Sequence, residues 1–81
     1  MTYRITPAAA KDVRKLAKVD ARVILDAIEA YADRGTGDIK KLTDVKPATW
    51  RLRVGRFRVR FRREGEEIVI VAISDRRDAY R

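Results

Sequence analysis

Residues 50–63 have the sequence WRLRVGRFRVRFRR, and this stretch decides the fold. Apolar residues alternate with arginine on both sides of Gly55-Arg56, and a period of two is typical of strands with one buried face. Glycine at the first of two loop positions suits a type II′ turn, which joins two antiparallel strands. The sequence therefore predicts an arginine-rich β-hairpin over Trp50–Arg63.

A two-residue loop also fixes which residues of the two strands face each other. The apolar pairs on one face are Trp50 with Phe61, Leu52 with Val59, and Val54 with Phe57. On the other face Arg51 is opposite Arg60 and Arg53 is opposite Arg58, and each opposed pair costs a few tenths to about 1 kcal/mol. One such arginine is explained by a solvated strand that resists aggregation. Four arginines in one patch without an acid instead predict an anion site.

Two amphipathic helices are predicted before the hairpin. Thr6 is the expected N-cap of the first helix, with Pro7 at its first position, where the missing N–H costs nothing. Asp20 is the expected cap of the second helix, and Gly35 is expected to end it. The segment Gly35–Thr49 is predicted to be a connection, with a short helical turn at residues 40–42.

The remaining strands are a short one at residues 3–5 and an apolar one at residues 68–73. A turn at Glu64-Gly65 would place Phe61 opposite Ile68, so that Val69, Val71 and Ile73 lie on the arginine face. Such an apolar stripe requires a cover, either the C-terminal tail or another chain. The predicted fold is α+β, of order β-α-α-β-β-β, with a two-helix hairpin on one face of a mainly antiparallel four-stranded sheet. Residues 1–81 are expected to form a single domain.

The charge and composition of the chain exclude several classes of function. Of the 81 residues, 20 are basic and 12 acidic, giving a net charge of +8, and every basic residue from position 50 onward is arginine. The chain has no cysteine and no histidine, which excludes disulfides, thiolate metal sites and the commonest general base. We expect no metal and no cofactor. No apolar run is long enough for a membrane span and the N-terminus is not a signal peptide, so a cytoplasmic protein without a membrane partner is expected.

Three features together resemble the RelE/ParE superfamily of type II toxins over nearly the whole chain. They are the predicted element order with Lys41-Leu42 ahead of the turn, the sequence WRLRVGRFRV at residues 50–59, and the ending SDRRDAYR at residues 74–81. The resemblance implies one of two activities. RelE-like members cleave mRNA in the ribosomal A site and so inhibit translation, whereas ParE-like members inhibit DNA gyrase. Both are neutralised by a cognate antitoxin protein, which would cover an apolar stripe.

The resemblance also assigns roles to residues. The catalytic positions of the RelE-like endoribonucleases fall on Arg51, Arg53, Arg58, Arg76 and Tyr80. Further nucleic-acid contacts fall on Arg60, Arg77 and Lys41, and antitoxin contacts on Val69, Val71 and Ile73. The guanidinium groups would stabilise the charge that builds on the phosphate during attack by a 2′-hydroxyl. Tyr80 would stack on a base or, alternatively, dock on the sheet.

One departure from the RelE pattern concerns proton transfer. RelE-like enzymes can have lysine at the first two positions, whereas arginine does not give up its proton in proteins. Lys40, Lys41, Lys46, Glu64 or a ribosomal group would have to supply a base. A ribosome-dependent endoribonuclease is the favoured prediction. The alternatives are a gyrase inhibitor without catalytic activity and a non-catalytic RNA-binding protein.

Overall fold

The computed structural model describes residues 1–76, which form a five-stranded mixed sheet with two helices. In chain order the elements are β1 (Thr2–Ile5), α1 (Pro7–Arg14), α2 (Lys18–Arg34), β2 (Asp38–Lys41), β3 (Trp50–Val54), β4 (Phe57–Glu64) and β5 (Glu67–Asp75). The strand order is β1-β5-β4-β3-β2, with β1 parallel to β5 and the other neighbours antiparallel. The predicted α+β class, with two helices and a mainly antiparallel sheet, is confirmed, although the sheet has one strand more than expected.

The hydrophobic core lies between the helices and one face of the sheet. Its buried members are Ala9, Ile24, Ile28, Tyr31, Ala32, Leu52, Phe57, Val59, Phe61, Ile68, Ile70 and Ile73. The helices therefore cover the face that the alternation of the hairpin predicted as apolar. The opposite face carries the arginines. Among the described residues, no helix is long and apolar enough to cross a membrane.

The first helix begins as predicted. The side-chain oxygen of Thr6 accepts a hydrogen bond from the backbone N–H of Ala9 at 3.3 Å, and Pro7 occupies the first helical turn. The same hydroxyl donates to the carbonyl oxygen of Ile70 at 2.8 Å. One side chain thus caps α1 and ties it to β5 where β1 ends.

The second helix begins earlier than predicted. Its N-cap is Ala17, which makes no side-chain capping hydrogen bond, and Asp20 lies in the first turn. A carboxylate there is favourable because the helix dipole is positive at this end. The predicted end is confirmed, since Gly35 is left-handed with φ 69° and donates its N–H to the carbonyl oxygen of Tyr31 at 2.8 Å.

The prediction of a connection with a helical turn between Gly35 and Thr49 is wrong. Residues Asp38–Lys41 form strand β2, which pairs with β3 at the edge of the sheet. Ile39 is opposite Leu52 and packs against the core. With one apolar residue among four, the alternation was too short to recognise without its partner strand.

The predicted register between the last two strands is also wrong. The turn lies at Gly65-Glu66, with φ 62° at Gly65, so Glu64 is opposite Glu67 and Phe61 is opposite Ile70. Beyond this point a β-bulge adds one residue to β5, and Val59 is opposite Ile73. Glycine takes the first loop position here as it does in the first hairpin, whereas the predicted turn has glutamate at that position.

Candidate anion-binding face

The first hairpin has the register that its loop predicted. Arg51 is opposite Arg60 and Arg53 is opposite Arg58, on the sheet face away from the helices. Gly55, at the first loop position, has φ 57°, whereas Arg56, at the second, does not have a positive φ. This combination fits a type II′ turn. We call these four arginines the arginine face.

The core locks this arrangement in place. Leu52, Val59 and Phe61 alternate with the arginines and are at most 2% exposed. A slip of one residue would exchange the two faces, burying guanidinium groups and exposing the aromatic and aliphatic side chains. The apolar side of the hairpin therefore fixes the direction in which the arginines point.

Acidic residues neutralise only part of this face. At the edge next to β1, Arg4 lies 3.2 Å from the carboxylate of Glu67, and Arg62 lies 3.8 Å from that of Glu64. Arg51 contacts Asp38 at 3.4 Å. Within residues 1–76, no carboxylate lies within ion-pair distance of the remaining three members, Arg53, Arg58 and Arg60. The uncompensated charge is therefore concentrated towards the tip of the hairpin.

A small pocket of about 60 Å³ lies at this tip. It is lined by Arg53, Gly55, Arg56, Phe57, Arg58 and Arg76. Arg76 follows β5 directly and donates its backbone N–H to the carbonyl oxygen of Arg56 at 2.6 Å. Three of the predicted catalytic arginines, from three separate segments, thus surround one cavity, and the anion that it suits is a small one such as a phosphate group.

Arg51 has a buried hydrogen-bond donor on this face. Its side chain is only 16% exposed. Its Nε is buried and has no hydrogen-bond acceptor among the described residues. A buried donor without a partner costs about 1–3 kcal/mol.

Arg56, for which the sequence predicts only a place in the turn, contacts both neighbouring elements at the pocket. Its guanidinium lies 3.0 Å from the carboxylate of Asp75 and 3.5 Å from that of Asp20, with its centre 4.9 Å from the ring of Phe57. These contacts tie the hairpin tip to α2 and to the end of β5. Because Arg56 and Asp20 are 36 positions apart in sequence, no local sequence pattern predicts their contact.

The two neighbouring lysines of β2 lie on opposite faces. Lys41 was predicted to contact nucleic acid, but it is opposite Trp50 and places its ammonium group 5.5 Å from the indole ring, on the helix side. Lys40 is opposite Arg51 and so belongs to the same face as the arginines. The sequence did not separate the two lysines, because the face on which a strand residue lies is defined only once the pairing of β2 is known.

The predicted apolar stripe does not form as a continuous surface. Ile73 is opposite Val59 and is buried in the core on the helix side. Val69 is opposite Arg62 on the outer face, yet it is fully buried, and Val71 is half-buried at the bulge. The bulge changes the facing of β5 between Val69 and Ile73.

Other predicted residues lie apart from the pocket. Lys46 is exposed in the loop between β2 and β3, and Glu64 pairs with Arg4 and Arg62. Arg77 and Tyr80 lie outside the described residues. Among residues 1–76, no group of three or more potential ligands is placed to hold a metal ion.

A titratable tyrosine lies on the helix side. Burial raises the pKa of Tyr3, and its hydroxyl donates a hydrogen bond to the carboxylate of Glu29 at 3.2 Å, which together with the negative charge of Asp33 raises it further. This group is remote from the arginine face and contributes to the packing of β1 on α2.

Comparisons with solved structures agree with this architecture. The RelB-RelE antitoxin-toxin complex of Methanococcus jannaschii matches with a TM-score of 0.76 at 21% identity, covering 94% of this chain and 93% of that one. The RelBE2 complex of Mycobacterium tuberculosis matches with a TM-score of 0.77 at 24% identity, over 91% and 95%. The RelE-RelB complex of Pyrococcus horikoshii OT3 matches with a TM-score of 0.71 at 26% identity, over 94% and 97%.

Sequence comparison identifies the family. A search of curated proteins gave no match. Residues 3–80, nearly the whole chain, match the model of the family described as ParE toxin of type II toxin-antitoxin system, parDE. With the fold of the RelE toxins and a family match of this length, the chain belongs to the RelE/ParE superfamily of type II toxin-antitoxin toxins.

Proposed function

We propose that this toxin acts in the cytoplasm as a ribosome-dependent endoribonuclease that inhibits translation by cutting mRNA. One observation carries the proposal. Arg53, Arg58 and Arg76 converge on a single small pocket, and within residues 1–76 none of them has a carboxylate partner. A fold gains nothing from opposing Arg53 to Arg58, whereas an RNA phosphate placed between them gains two charge-assisted contacts.

The chemistry follows from the arrangement of the guanidinium groups. Attack of the 2′-hydroxyl on the neighbouring phosphorus increases the negative charge on the phosphoryl oxygens. Fixed donors that surround those oxygens stabilise the transition state more than the ground state. We assign this role to Arg53, Arg58 and Arg76, which line the pocket, with Arg51 holding a flanking phosphate. Arg60 and Arg77 would extend the contact along the strand, and Tyr80 would orient the nucleotide by stacking.

A cognate antitoxin is the proposed protein partner, since the similar structures named above are complexes with antitoxins. The half-buried Val71, beside Val69, offers it little apolar area. Val19 and Val23 offer more, because they lie one turn apart on α2 with exposed fractions of 70% and 52%. Exposed apolar pairs of this kind are typical contact points for an amphipathic segment. We therefore propose that the antitoxin covers this part of α2.

Induced expression tests the catalytic proposal. We expect protein synthesis to stop and translated mRNA to carry new cuts within the reading frame. The double substitution of Arg58→Ala with Tyr80→Ala is expected to relieve growth arrest. Arg22→Ala, which removes an exposed charge on α2, is the matched control and should remain toxic. Intact mRNA during a complete arrest of translation would refute cleavage.

A gyrase inhibitor is the second candidate function, and the family match to ParE toxins favours it. In that case supercoiling of plasmid DNA would collapse while protein synthesis continued at first. The same induced culture therefore separates the two activities when both readouts are followed in time. A harmless protein that only retards RNA in a salt-sensitive way would instead indicate a non-catalytic RNA-binding protein.

The antitoxin surface has its own test. Val19→Asp together with Val23→Asp should leave the toxin folded, because both side chains are exposed, and should abolish neutralisation when the antitoxin is co-expressed. Lys15→Asp, at the end of α1, controls for the added negative charge. Full neutralisation of the double variant would exclude this part of α2 as the contact.

A further inference from the structure

RNA cleavage by a 2′-hydroxyl requires a proton donor for the leaving 5′ oxygen, and the arginines cannot supply this proton. The bond from phosphorus to the 5′ oxygen breaks with its electron pair on that oxygen, and an alkoxide in neutral water must be protonated as it leaves. Guanidinium groups stabilise charge, but they do not release protons near neutral pH. A second type of group is therefore required beside the arginine face.

The outer face of the sheet offers few proton donors. Its carboxylates at Asp38, Glu64 and Glu67 lie in ion pairs with arginine, where each accepts hydrogen bonds. Ser74, which is opposite Arg58, carries a hydroxyl that is no more acidic than the leaving alcohol. Among the described residues that the strand pairing places on this face, Lys40 alone carries an ammonium group.

Lys40 is also well placed. It is opposite Arg51, and Arg51 is opposite Arg60, so the three form one row across β2, β3 and β4. The next row towards the hairpin tip holds Arg53 and Arg58, which line the pocket. Lys40 is therefore the diagonal neighbour of Arg53, the nearer of the two, across the β2–β3 pair. Diagonal neighbours are about 7–8 Å apart, which is within reach of a long side chain such as lysine.

We propose that Lys40 is the general acid of this toxin, a proposal that rests on the endoribonuclease function proposed above. The 2′ oxygen forms its bond to phosphorus and passes its proton to water. The bond from phosphorus to the 5′ oxygen breaks, and that oxygen takes a proton from Nζ of Lys40. The neutral amine then regains a proton from solvent, and the products are a 2′,3′-cyclic phosphate and a 5′-hydroxyl.

A substrate with sulfur in place of the scissile 5′ oxygen provides the decisive test. A thiolate leaves without protonation, so this substrate bypasses a general acid. Translated mRNA carrying a single such linkage would be compared with the ordinary message at the same position, on ribosomes with purified toxin. The variants are Lys40→Arg, which keeps the charge without an available proton, and Lys11→Arg, the same substitution at an exposed lysine of α1.

We expect Lys40→Arg to lower the single-turnover rate on ordinary mRNA by about 100-fold or more, as for other general acids. On the sulfur substrate it should come within about threefold of the wild type. Lys11→Arg should behave as the wild type on both. An equal loss on both substrates, or none on ordinary mRNA, would overturn the role of Lys40. A wild-type protein that cleaves neither substrate would overturn the endoribonuclease function itself.

Discussion

Replacing one arginine of an opposed pair should stabilise this protein, which is unusual for a functional residue. Arg58 has Arg53 opposite it on β3 and Ser74 opposite it on β5, and within residues 1–76 no carboxylate lies within ion-pair distance of either arginine, although Asp38 is opposite Arg53 on β2. Arg58→Gln removes the charge and keeps a long side chain that continues to cover the sheet. We expect the free energy of unfolding to rise.

The magnitude follows from the cross-strand spacing. Directly opposed Cβ atoms are about 5 Å apart, and two unit charges at that distance repel by about 0.8 kcal/mol in water. Screening at physiological ionic strength reduces this to about 0.4 kcal/mol. In a domain of this size, that gain corresponds to a rise in Tm of about 2–3 °C.

Thermal unfolding of the wild type, Arg58→Gln and Arg60→Gln at low and high salt provides the assay. Arg60 is the matched control, because it too is opposite an arginine, Arg51, but it does not line the pocket. Both variants should be stabilised, and both gains should shrink in about 1 M salt, where charges are screened within about 3 Å. Activity should be lost mainly in Arg58→Gln. A Tm that falls in both variants, or a gain that is independent of salt, would refute the reasoning.

Two further predictions concern the helix side. Arg63→Met should lower stability by about 1 kcal/mol and alter Trp50 fluorescence, because the guanidinium lies 4.9 Å from the indole ring and donates to the hydroxyl of Tyr31; unchanged fluorescence and Tm would contradict this. In the Tyr3→Phe variant, the free energy of unfolding should fall less steeply at alkaline pH than it does in the wild type. Unfolded tyrosine ionises near pH 10, whereas the raised pKa of folded Tyr3 keeps its proton, so wild-type stability falls more steeply than that of the variant above about pH 10 in denaturant titrations.

The sequence predicted the elements whose patterns are local. The hairpin register followed from one glycine and a strict alternation, and the boundaries set by Thr6 and Gly35 followed from capping chemistry. Strand β2 was not predicted because Ile39 is its one apolar residue, too few to show an alternating pattern. Its role in the core is recognisable only from its pairing with Leu52. The link from Arg56 to Asp20 escaped for a related reason, since it depends on how α2 packs against the hairpin tip.

The β-bulge in β5, which reverses the predicted facing of Ile73, also shapes the pocket. Without the extra residue in β5, the pairing of Phe61 with Ile70 would continue and place Ile73 opposite Arg58, an apolar side chain on the arginine face. The bulge advances β5 by one position, which turns Ile73 into the core and leaves the small hydroxyl of Ser74 beside Arg58. Asp12 of α1 accepts the backbone N–H of Ile73 at 2.9 Å and so holds the shifted strand. The pocket at the hairpin tip thus depends on an irregularity that no alternation of residues within β5 could reveal.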